Sequence, residues 1–146
     1  MNVLWVDPGN TTGWVVFQPV HRLQIRVLEW GETPGAVEFG RWVQRRCNRQ
    51  GDLDYCGCEN WVPYTDRHRT WEPDALHIIG MLRLIFGDQQ LNLSQLAADA
   101  HAWGTAGKIA PYRDNHPYVG RGAKGHALMA LRHALTWTAN SWNGIP

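Results

Sequence analysis

Two apolar runs in this chain end in a carboxylate. Residues 3–6 run into Asp7-Pro8-Gly9, and the run ending at Cys58 meets Glu59-Asn60-Trp61. An ionised acid at the end of a buried strand is costly unless it is paired or coordinates a cation. Two such acids side by side repel unless one keeps a proton or a cation lies between them. Carboxylate, water and phosphate oxygens are what Mg²⁺ prefers. An ion held this way can activate water and stabilise a leaving oxygen in phosphodiester cleavage. The plain alternative for Asp7 is a hairpin turn that needs Asp, Pro and Gly for its geometry.

A third group lies near the C-terminus, in Gly125-His126-Ala127-Leu128-Met129-Ala130-Leu131-Arg132-His133-Ala134-Leu135. Leu128, Leu131 and Leu135 form one helical stripe, with His126, Met129/Ala130 and His133 on the other side. On their own, the leucines read as core and the histidines as polar flank.

These groups need elements to position them. Residues 3–6 read as a buried strand stopped by a turn, residues 13–18 as a second strand and residues 24–30 as a third, joined by short connections into an antiparallel meander. Thr33-Pro34 offers an N-cap and a proline at the first helical position. Ala36, Phe39, Val43 and Cys47 follow at helical spacing, with Arg41, Arg45, Arg46 and Arg49 outside. Residues 53–59 read as a fourth strand and residues 61–72 as a polar, aromatic and basic loop. Pro73 opens a second helix that Gly87 stops. A fifth strand is expected within 89–103, a loop over 104–123 and a last helix over about 124–138. The expected fold is α/β, a five-stranded mixed sheet with its first three strands antiparallel and helices on both faces. The helix between strands three and four makes a crossover, which lays strand four parallel to strand one and sets Asp7 beside Glu59.

Composition narrows the classes. The 146 residues are expected to form a single domain, 1–146, and 44% apolar with 18% charged residues excludes disorder and collagen-like chains. No apolar run approaches the length that spans a bilayer. The N-terminus does not read as a signal peptide, so a cytoplasmic product is expected. Net charge is +1, unevenly spread: residues 1–100 hold nine Lys/Arg against twelve Asp/Glu, whereas residues 101–146 hold five against one. A basic last third is compatible with a phosphate-rich partner and equally with an uneven solvated surface. Cys47, Cys56 and Cys58 read as reduced thiols; Cys56-Gly57-Cys58 is half of a zinc motif with no second pair of ligands near it. Nine tryptophans are a heavy load, and Trp5, Trp14, Trp30 and Trp42 fall where core or subunit contact is the natural role.

The opening Asp-Pro-Gly-x-Thr-Thr-Gly-Trp, the Cys-Glu-Asn strand end, the Pro-Asp-Ala-Leu-His-Ile-Ile-Gly helix and the closing Gly-His-Ala-Leu-Met-Ala-Leu-Arg-His-Ala-Leu helix resemble, in that order, RuvC-like Holliday junction resolvases. The likeness is to their bacteriophage-type branch, within the RNase H-like superfamily. The resemblance implies a metal-dependent endonuclease that cleaves branched DNA (Holliday junctions or flaps), is usually a homodimer and holds Mg²⁺ or Mn²⁺. It maps Asp7, Glu59 and His126 onto catalytic, metal-binding positions. Three residues after His126 the family has an Asp; this chain has Met129, and no Asp or Glu follows Asp114. A thioether is a poor Mg²⁺ ligand. Three readings stay open: Asp7, Glu59 and His126 suffice for a weakened or Mn²⁺-favouring site; Asp114 or Asp99 completes it; or the chain binds junctions without cutting them efficiently.

DNA would need positive charge around the acids. Candidates are Arg67, His68 and Arg69 after Glu59, and Arg113, His116, Arg121 and Lys124 before the last helix. Thr11 and Thr12 could touch phosphate, and Trp61, Tyr64, Trp71 and Tyr118 could stack on exposed bases. Each has an ordinary surface reading. An actin-like sugar kinase fragment shares the first turn, but such enzymes need two domains and an ATP cleft.

Overall fold

The computed structural model describes residues 1–22, 24–49, 53–59, 73–94 and 125–140. The first three strands, β1 (Val3–Asp7), β2 (Thr11–His21) and β3 (Gln24–Pro34), form an antiparallel meander. Helix α1 (Ala36–Arg49) crosses over, and β4 (Tyr55–Glu59) returns parallel to β1. Helix α2 (Pro73–Gln90) precedes a four-residue strand, β5 (Leu91–Ser94), which runs parallel along β4. Helix α3 (His126–Asn140) ends the described chain. The order across the sheet is β3-β2-β1-β4-β5.

Strand alternation divides the core into two layers. Val3, Trp5, Val15, Phe17, Ile25 and Trp30 point to α3, where Leu128, Ala130, Leu131, Ala134, Leu135 and Trp137 meet them. Leu4, Val6, Trp14, Val16, Cys56 and Cys58 point the other way, to Phe39 and Val43 of α1 and Ile78, Ile79, Leu82 and Phe86 of α2. Helices therefore cover both faces. Each large side chain fully withdrawn from water adds about 1.5–3 kcal/mol, so these layers carry the fold. The four early tryptophans sit where expected: Trp5, Trp14 and Trp30 are buried, and half-buried Trp42 stacks on Trp14 at 3.9 Å between centroids.

Several boundaries differ from the sequence reading. The second and third strands are longer because their polar ends stay in the ladder, down to Thr11 opposite Pro34. Thr33-Pro34 therefore ends a strand and does not cap α1. Thr33 instead accepts a hydrogen bond from Trp14 Nε1 at 3.0 Å, and the helix begins after Gly35, whose carbonyl accepts the Phe39 N–H. Arg46 is not on the outside: it is buried and ion-paired with Glu29 of β3, tying α1 to the sheet. The fourth strand begins at Tyr55 instead of residue 53. The last helix runs two residues later than expected at each end. Gly87, with φ 68°, does break the helical path of α2. Asp99, Asp114 and the loops over 61–72 and 104–123 lie outside the described residues.

Candidate active site

Asp7 and Glu59 reach the same place by backbone register. β1 and β4 are parallel neighbours with Val6 opposite Cys58, so the next residue on each strand is an acid. Both acids project toward α3, on the face of Trp5 and Gly57. The Glu59 carboxyl acts directly on that of Asp7. Burial, the larger cause, and the Glu59 carboxyl together push Asp7 up from 3.8 to about 6, although His126 and His133 oppose the shift. The pair thus resists carrying two negative charges until the pH passes about 6.

Helix α3 supplies an imidazole to each acid. His126 Nδ1 is 3.4 Å from Asp7 Oδ2, and His133 Nε2 is 3.4 Å from Glu59 Oε2. The two histidines are seven residues apart, two helical turns, and so share one side of α3. Their environments differ: the His126 side chain is 49% exposed and that of His133 is 0%. His133 is thus no polar flank. It lies parallel to the Trp5 ring, 5° between planes, inside the layer under α3. The expected contrast between a leucine side and a polar side fails because α3 is buried on nearly all sides from Ala127 to Ala139.

Two glycines allow this approach. Gly13 pairs with Asp7 in the β1–β2 ladder, and a Cβ on it would stand 1.9 Å from the His126 carbonyl oxygen. The start of α3 therefore rests on β2 backbone beside Asp7. The sequence reading began the second strand at Gly13; its tighter constraint is this helix. Gly57 faces Trp5 across the β1–β4 pair, where a Cβ would come 2.2 Å from ring carbons. That gap admits the indole on which His133 lies.

Glu32 is a participant that sequence reasoning missed. It pairs with Gly13 from the β3 side, and its Oε1 accepts the Ala127 N–H of the first α3 turn at 3.3 Å. A carboxylate there satisfies an otherwise orphan helix donor and complements the helix dipole. The signal was the two-residue alternation from buried Trp30 to Glu32 on the α3 face.

Other expected residues fare differently. Thr12 is fully buried, and its hydroxyl donates to the Gly9 carbonyl at 3.3 Å, so it closes the turn and is not a phosphate contact. Thr11 remains half-buried at the mouth of the turn. Arg67, Arg69, Arg121 and Lys124, with His68, Arg113, His116, Trp61, Tyr64, Trp71 and Tyr118, lie outside the described residues. Met129 is half-buried, and its sulfur accepts a contact from the Arg132 guanidinium at 3.5 Å. Cys56 and Cys58 face α1 and α2, where burial pushes both thiols well above their usual range.

Among the described residues, no three His, Cys, Asp or Glu side chains form a ready cluster for a metal ion. The donors come as two acid–imidazole pairs that meet at the Asp7–Glu59 contact. This donor set still fits a divalent cation. Burial and the neighbouring Glu59 carboxyl push Asp7 up to about 6, as an acid pair short of positive charge requires, and both nitrogens of buried His133 lack a hydrogen bond.

Comparison with solved structures places the architecture. Thermus thermophilus RuvC, solved in complex with a Holliday junction substrate, superposes with a TM-score of 0.62 at 16% identity over 93% of this chain and 92% of that one. The Fowlpox virus Holliday junction resolvase superposes with a TM-score of 0.60 at 15% identity, over 94% and 98%. The fold is that of RuvC-like resolvases. The same viral resolvase in its substrate complex gives a TM-score of 0.56 at 14% identity, over 94% of this chain and 95% of that one. No protein-family model and no curated protein matches the chain by sequence. Among the described residues, no helix is long and apolar enough to cross a membrane.

Proposed function

We propose that the chain is a metal-dependent endonuclease that nicks branched DNA, with Mg²⁺ or Mn²⁺ held by Asp7, Glu59 and His126. The observation that carries this reading is the meeting of Asp7 and Glu59 at the ends of adjacent parallel strands of a RuvC-like fold. Bound there, a divalent cation would supply an activated water and charge stabilisation at the cleaved phosphate. The chain's own work is to present two carboxylates on rigid backbone. Glu32 and Gly13 hold the start of α3 close, and His126 stands at the exposed mouth beside Asp7. Asp7 must lose its proton to serve as a ligand, so metal affinity rises with pH through about 6.

Branched DNA is the substrate class we favour because the superposing structures are described as Holliday junction complexes. Arg67, Arg69, Arg121 and Lys124 are the proposed backbone contacts, with Thr11 at the turn, and a homodimer is the proposed active unit. Reversing charge at Arg121 and Lys124 should weaken junction binding and flatten its salt dependence.

One observation favours a second reading, that of a junction-binding relative with impaired cleavage. Met129 places a thioether against Arg132 where the resemblance leads one to expect a carboxylate. A cleavage assay on four-way, flapped and linear DNA, with Mg²⁺ and with Mn²⁺, separates the two. Nicking of branched substrates by the unaltered chain, stronger in Mn²⁺, supports the nuclease. Tight junction binding with nicking only after Met129→Asp supports the impaired relative.

A further inference from the structure

We infer that His133 is a metal ligand of this chain, one turn beyond Met129, and that it makes the centre selective for cations that accept imidazole. The inference rests on the proposal that Asp7 and Glu59 hold a divalent cation.

His133 has 0% exposure, and neither ring nitrogen makes a hydrogen bond. A buried, unsatisfied polar group is destabilising, so such a residue in a packed helix requires a reason. Its Nε2 lies 3.4 Å from Glu59 Oε2 with no hydrogen bond between them, close enough for the two to share a partner. The ring plane is set by the parallel Trp5 indole, which itself occupies the space left by Gly57. Three neighbouring positions thus set one nitrogen beside the acid pair.

The chemistry follows from the donor atoms. With Met129 the chain has no third carboxylate on α3, and it has a second imidazole instead. Two carboxylates with the His133 imidazole make a mixed nitrogen–oxygen set, which suits Mn²⁺ and later first-row ions better than Mg²⁺. A wholly buried imidazole also needs no dehydration from bulk water before it binds.

The test is pulsed EPR of Mn²⁺ bound to the full chain, read for directly coordinated imidazole nitrogen, beside Mn²⁺ and Mg²⁺ affinities from calorimetry. The informative background is His126→Ala, a change at an exposed position. In that variant the nitrogen signal should persist. Adding His133→Gln should abolish it and lower Mn²⁺ affinity at least about tenfold, with Mg²⁺ affinity changed less than about twofold. Loss of the nitrogen signal in His126→Ala alone, with Mn²⁺ still bound through Asp7, would overturn the role of His133 and leave the acid-pair centre standing. Absence of Mn²⁺ binding in the unaltered chain would overturn both. The His126→Ala spectrum decides the matter even if His133→Gln does not fold.

Discussion

The two faces of the sheet use the same strands for different purposes. On the α1/α2 face, β1 and β4 present Leu4, Val6, Cys56 and Cys58 to a dry layer. On the α3 face the intervening positions are Trp5, Asp7, Gly57 and Glu59, and two histidines and Glu32 converge there from α3 and β3. One residue of register separates an apolar layer from a cluster of titratable groups, because side chains alternate with a period of two. The difference shows where this chain spends stability. The first face packs; the second tolerates adjoining acids, unsatisfied imidazole and glycines without side chains, which is the pattern of a site.

The largest expected contrast is in cleavage. Asp7→Asn or Glu59→Gln should lower metal-dependent nicking by more than about 100-fold, beyond the usual loss for a supporting partner. Val6→Ala, one residue away on the other face, should cost about 1–3 kcal/mol of stability through lost packing and leave the metal affinity of the folded chain unchanged. Next in size is Gly13→Ala. Its Cβ must displace the α3 N-terminus, so we expect a loss of about 1–3 kcal/mol in urea unfolding together with weaker metal binding. An overpacking change on the opposite face would give only the first.

A pH titration sharpens the same comparison. Asp7 has a folded value near 6 against 3.8 when free, so the folded chain keeps a proton that the unfolded chain releases. Without metal, stability should therefore fall as pH rises from about 4 to about 6 and then level off, by up to about 3 kcal/mol. Asp7→Asn should flatten that slope, as seen in unfolding curves across the window. The smallest expected effect is the gain from Met129→Asp, several-fold in junction nicking on the scale of one added ligand. No gain there would remove position 129 from the site.

Much of this contrast was legible in the chain itself. Asp7 and Glu59 end apolar runs, and a crossover helix between them sets the strands parallel, so their meeting follows from topology. The Leu128, Leu131 and Leu135 stripe also packs as its spacing implies. Residues whose roles depend on tertiary partners were harder to read. The spacing of Arg46 looks like surface until Glu29 arrives from β3. His133 looks like flank until burial surrounds α3, and Thr33 looks like a cap until Trp14 claims its hydroxyl. Glu32 is an ordinary strand residue until an α3 N–H meets it.

In the proposed centre, Asp7 and Glu59 act as one unit in holding a divalent cation. Calorimetric titration of Mn²⁺ into the unaltered chain, Asp7→Asn, Glu59→Gln and the double variant at neutral pH tests it most directly. Binding is expected in the unaltered chain, with a loss in each single variant nearly as large as in the double, the non-additivity of groups sharing one partner. Equal Mn²⁺ affinity in all four proteins, or losses that simply add, would contradict it.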